Sequence, residues 1–244
     1  MKRVLFFFLL ITNFCSAHTY QNGLIIPNFS KVEEDEVCCV YLPKGGFTVY
    51  SSPGGQQTGK LMRMEENKND DQAPYKLFFR HSTVKALKKV DLSNLEEVGY
   101  EVWAISYFER RDGYVRVIEK TNDFWLSEDE IKLKGFNLVE WQSFLNSKAG
   151  DVLGFYANEL GLKLREAPNL NSKSLFTMKG DLFEINLLKL YKGTWAKVKV
   201  RKYKEHPCVS DLKQDEIIEF ELDGWVKLVD DVGRPNVWYY SRGC

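Results

Sequence analysis

The residues of this chain best suited to covalent or metal chemistry are Cys38, Cys39, Cys208 and Cys244, with His18, His81 and His206. A Cys–His nucleophile pair would need Cys38 or Cys39 beside His81, or Cys208 beside His206. Geometry rather than presence defines such a dyad, and side chains two positions apart in a loop need not converge. His206-Pro207-Cys208 is not a zinc spacing, and no Cys-x-x-Cys or His pair completes it. Asp70-Asp71 and Asp230-Asp231 lack the spaced acidic loop of a calcium site. No Gly-rich phosphate loop precedes a helix. These patterns point away from catalysis, and no metal or cofactor is expected.

Non-covalent recognition has better material. Trp195-Ala196-Lys197-Val198-Lys199-Val200-Arg201 alternates strictly, which predicts a strand with Ala196, Val198 and Val200 inward. Trp195, Lys197, Lys199 and Arg201 then face outward. An indole flanked by ammonium groups suits a ligand carrying carboxylates, since the ring stacks while the lysines pair with the charges. Trp195, Lys197 and Lys199 are therefore the candidate ligand-binding residues. Trp225 reads as core from its Gly224-Trp225-Val226 setting, and Trp141 as packing. Around Trp103, either Trp103, Ile105 and Tyr107 or Val102, Ala104 and Ser106 can face inward, the first set being the more apolar.

Compartment comes from the N-terminus. Lys2-Arg3, the apolar run Val4 to Ile11 and Cys15-Ser16-Ala17 have the layout of a secretory signal peptide cut after Ala17. The expected location is periplasmic or extracellular. Acylation at Cys15 is the alternative, disfavoured by Phe14 where a small residue belongs. The apolar run is too short to span a bilayer, and no transmembrane segment is expected. Cutting after Ala17 removes two basic residues and no acidic one, leaving a net charge of about −2. Such a balance gives no electrostatic footprint for nucleic acid. In an oxidising compartment, Cys208 and Cys244 are expected to form a disulfide closing the C-terminal part of the chain. Adjacent Cys38 and Cys39 read as small buried hydrophobes on a strand over Val37 to Leu42.

The elements that must hold these residues are organised as a repeat. Gly46-Phe47-Thr48-Val49-Tyr50-Ser51-Ser52-Pro53 recurs 115 positions on as Gly161-Leu162-Lys163-Leu164-Arg165-Glu166-Ala167-Pro168. Asp112-Gly113-Tyr114-Val115 is echoed in the same order by Asp223-Gly224-Trp225-Val226. The division expected is a signal peptide over 1–17, a polar leader over 18–36 and a first domain over 37–134. A helical linker over 135–150 and a second domain over 151–244 follow. A hairpin is expected to join Tyr100–Tyr107 to Tyr114–Val117 across Asp112-Gly113. Residues 65–73 read as a polar loop excursion. In the linker, Leu138, Trp141 and Leu145 share a helical face, with Asn137 as cap and Gly150 as stop.

On these residues the chain resembles the bacterial SH3-like domain family. The second copy carries its pattern in Gly161 to Pro168, Trp195-Ala196-Lys197-Val198 and Gly224-Trp225-Val226, with Ser172-Lys173 between. The first copy departs from it, with Tyr50 in place of the arginine and Tyr114 in place of the tryptophan. The resemblance implies an all-β chain of two tandem small barrels joined by a linker with one short helix. It also implies a non-catalytic, exported binding protein that recognises cell-wall peptide or glycan, or an envelope protein. A structural or interaction subunit of an envelope assembly is the alternative, and a cysteine hydrolase or transpeptidase ranks third.

Overall fold

The computed structural model describes residues 22–37, 39–63, 76–84, 87–90, 95–117, 124–151, 154–231 and 233–239. The signal peptide, the polar excursion at 65–73, Cys38 and Cys244 lie outside the described residues. The first elements are β1 (Gly23–Pro27), α1 (Glu34–Val37), β2 (Phe47–Tyr50), β3 (Gln57–Arg63), β4 (Leu77–His81), β5 (Leu87–Val90) and β6 (Leu95–Gly99). Next come β7 (Val102–Tyr107), β8 (Glu109–Arg111), β9 (Tyr114–Arg116), β10 (Trp125–Ser127), α2 (Glu128–Leu133), β11 (Phe136–Glu140) and α3 (Trp141–Lys148). The last are β12 (Phe155–Arg165), β13 (Ser174–Lys192), β14 (Trp195–Tyr203), α4 (Gln214–Ile217), β15 (Ile218–Lys227) and β16 (Val237–Tyr239). The chain is mostly β, as the alternating patterns require. No helix among the described residues is long and apolar enough to cross a membrane.

Three sheets form, in the strand orders β11-β1-β7-β6, β5-β4-β3-β2-β10-β9-β8 and β13-β14-β15-β12-β16. The four-stranded sheet packs on both faces. Leu24, Val98 and Ala104 enter one core with Leu164, Val198 and Val226 of the five-stranded sheet. Their neighbours Ile25, Leu95 and Ile105 enter the other core with Phe47, Val49 and Leu126 of the seven-stranded sheet. Successive strand residues point to opposite faces, so consecutive burial is the mark of a doubly covered strand. Both inward sets proposed around Trp103 are therefore used, one for each core.

This arrangement changes the reading of the leader and the linker. Residues 23–27, read as leader, form β1, inside the four-stranded sheet between β11 and β7. Residues 138–140, read as the start of a helix capped by Asn137, belong to strand β11, with Asn137 opposite Ile26. The helix exists but begins at Trp141, with Glu140 as its N-cap and no side-chain cap bond. Its Trp141, Phe144 and Leu145 are buried as the helical face requires. Helix α2 is an addition, and its Ser127 cap accepts a hydrogen bond from the Glu130 backbone N–H.

The repeat has a physical counterpart. Phe47 and Val49 in the first copy, and Leu162 and Leu164 in the second, are all buried. Gly46 and Gly161 both have left-handed backbone, with φ of 70° and 89°, and each copy opens a hairpin, β2–β3 and β12–β13. Beyond that the copies diverge, and neither sheet is a closed barrel. Strand β12 meets β13 along its length but returns to β15 through one residue pair, Arg165 opposite Trp225. In the first half the seven strands run open from β5 to β8. Asp112-Gly113 does turn a hairpin, with φ of 53° and 78° as a two-residue primed turn needs. It joins β8 to β9, however, because β7 has already left for the four-stranded sheet.

Candidate ligand face on the second half

Strand β14 is laid down by its alternation. Ala196, Val198 and Val200 are buried at 0%, 0% and 1% exposure, which turns Trp195, Lys197, Lys199 and Arg201 to the outer surface. Antiparallel register extends this surface sideways. Trp195 lies opposite Lys192 on β13 and Lys227 on β15. Two positions on, Lys197 lies opposite Trp225, which in turn lies opposite Arg165. Each of these rows thus sets a tryptophan among basic residues, with adjacent strands about 4.8 Å apart.

The charges are not used evenly along the strand. At the β13–β14 base, Arg201 donates to Glu221 at 2.5 Å and contacts Glu184 at 3.4 Å. Lys202 pairs with Glu219 at 2.5 Å, and Lys199 reaches Glu221 at 3.8 Å. The hydrogen bond from Arg201 holds the Glu221 carboxyl below its ordinary value. Glu184 also accepts from Tyr203 Oη and Asn186. Toward the Trp195 end the carboxylates are fewer, with Asp231 paired to Lys227. Lys197 Nζ lies 5.9 Å from the centre of the Trp225 ring, within cation–π range. Trp225 is 8% exposed, so it forms the floor of the face: it is buried as its core reading required, but on the outer side of the sheet beside Lys197. Trp195 is half-buried, and Lys192 is exposed.

Gly224 sets the closeness of β15 to β12. A Cβ there would stand 2.6 Å from Leu164 Cδ1 and 3.0 Å from the Arg165 carbonyl oxygen. The Asp223-Gly224 pair is therefore not a turn but a tight crossing within one continuous strand.

The cysteine and histidine candidates separate. Cys39 and Cys208 are both disulfide-bonded. Cys39 is thus no inert core residue, and it sits at φ 76° after α1 rather than on a strand. Val40 keeps a single bridge to Trp103. With its sulfur in a disulfide, Cys208 offers no thiolate to His206. The His206 ring accepts from the Cys208 backbone N–H at 3.2 Å and faces Asp181 at 3.7 Å. His81 is held by Thr83, with Thr83 Oγ1 at 2.9 Å from Nδ1. No group of three or more His, Cys, Asp or Glu residues placed to hold a metal occurs among the described residues.

Arg165, Lys192 and Lys227 join the face only through register, which no single stretch of sequence displays. One signal was present in the chain: from Ile185 to Lys204 there are seven basic residues and no acidic one. Comparison with protein-family models, with curated proteins and with solved structures found no match.

Proposed function

We propose that the protein is an exported, non-catalytic binding protein built of two SH3-like modules. In this reading the outer face of β14 takes a carboxylate-bearing peptide or glycan of the cell wall. Trp195 stacks on the ligand while Lys197 and Lys199 pair with its carboxylates. The observation that supports this most is the cross-strand pattern, in which Trp195 stands between Lys192 and Lys227 and beside Lys197. A carboxylate arriving here meets Lys192 and Lys197 first, because Lys227 is paired with Asp231. Lys199, Arg201 and Lys202 face Glu221, Glu184 and Glu219, so Lys199 exchanges Glu221 for the ligand.

A pull-down on purified cell wall tests the reading. The wild-type protein is expected to sediment with the wall and to be released by salt, since exposed ion pairs are screened. A protein left in the supernatant at low salt would remove the wall as its ligand.

A further inference from the structure

The tip of the β13–β14 hairpin has a feature the ligand face does not require. Pairing runs from Leu187 opposite Val198 to Tyr191 opposite Ala196, so Leu188, Lys189 and Leu190 stand against Lys197 alone. Lys189 adopts left-handed backbone at φ 55°, a conformation that costs a lysine energy. The bulge carries Leu188 and Leu190 into solvent at 43% and 54% exposure, next to exposed Lys189 and Lys192. Bulges serve to re-aim side chains at sheet margins, and this one aims two leucines outward. Gln142 of α3 braces the turn by donating to the Gly193 carbonyl at 2.7 Å.

We infer that this tip, Leu188 to Trp195, docks on an anionic lipid surface. Four observations select that partner. Its apolar groups project from a bulge beside the hairpin turn rather than line a groove, which suits a flat, deformable surface. The cations interleaved with them, Lys189, Lys192 and Lys197, are the residues that carry an apolar wedge to acidic headgroups while their stems stay in the interface. Half-buried Trp195 closes the hairpin turn opposite Lys192, beside the bulge, and an indole is suited to a membrane interface. Acidic residues, which would be repelled, are missing from the whole stretch between Glu184 and Glu205. This inference goes beyond the wall-ligand reading; the two share Lys192, Trp195 and Lys197, and the bulge residues Leu188, Lys189 and Leu190, which only the lipid reading uses, let them fail separately.

Hydrogen–deuterium exchange of the full chain with vesicles provides the test, because it reports where contact occurs. Vesicles of phosphatidylcholine with about a third phosphatidylglycerol are expected to slow exchange over residues 188–195, and phosphatidylcholine alone to leave it unchanged. Co-sedimentation with the same vesicles should weaken about fivefold for each of Lys189→Gln and Lys192→Gln, from ~1 kcal/mol per surface charge. Leu188→Ser/Leu190→Ser should weaken it at least as much, and both changes lie at exposed positions that leave the circular dichroism spectrum intact. No protection at 188–195 on the anionic vesicles would overturn the inference, even if another part of the chain bound them. So would equal protection by poly-glutamate together with vesicle binding indifferent to the leucine pair. Loss of wall binding in the pull-down, with vesicle protection retained, would instead strike the ligand reading alone.

Discussion

Glu96 is the side chain whose neutralisation should change stability most clearly. It sits on β6 opposite Ala104, and Ala104 belongs to the core between the four- and five-stranded sheets. Removal from water pushes its carboxyl up from 4.5 to about 7. The Tyr156 phenol is raised by burial first and by the Glu96 charge second. A carboxyl raised on folding contributes its stability in full below its unfolded value, near 4.5, and loses it as pH rises through about 7. At about 1.4 kcal/mol for each tenfold change in proton affinity, the ionised form costs the fold about 3 kcal/mol at pH 8. Glu96→Gln keeps the shape and removes the charge. Urea unfolding from pH 4.5 to pH 8 should show the two proteins nearly equal at the acid end. The variant should become more stable by up to about 3 kcal/mol at the alkaline end, with a flatter profile. Parallel curves, or a variant less stable than wild type at pH 8, would refute the reasoning.

Other sites give predictions of their own. Arg110 holds the nearly buried Glu128 through two hydrogen bonds of 2.7 Å, so Arg110→Ala should cost about 1–3 kcal/mol in chemical unfolding, discounted because the arginine is half exposed. The Arg110 hydrogen bond lowers the Glu128 carboxyl, so this contribution is present above its unfolded value and is lost as pH falls through the lower folded one. In Arg110→Ala, acid unfolding should accordingly be less steep. Gly224→Ala drives a methyl into Leu164 and should destabilise by about 1–3 kcal/mol, read as a lower melting temperature.

How far the chain discloses its own fold depends on how many faces of each strand are covered. Where one face meets water, as on β14, alternation is plain, and Ala196, Val198 and Val200 could be read inward directly. The Asp112-Gly113 turn was equally legible, since few residues other than Asn, Asp and Gly tolerate two left-handed positions. Leu24-Ile25-Ile26 gave no such signal. Buried on both sides of the sheet, it has no polar alternate, and beside a polar leader it looked like one. The chain's change of sheet after Tyr107 was hidden for the same reason, because Ala104 and Ile105 are both fully buried. At the candidate site, the outward direction of Trp195, Lys197 and Lys199 was local information. The Lys192–Trp195–Lys227 row and the exposed leucine bulge are products of register, and only the run of cations without acids hinted at them.

The claim that this face binds a ligand turns most directly on Trp195→Ala, titrated with soluble cell-wall fragments beside the wild-type protein. The account predicts affinity lower by at least ~1 kcal/mol, about fivefold, with a melting temperature nearly unchanged. Unaltered affinity would contradict it, and so would an unfolded second half, which would make the indole a structural residue rather than a contact.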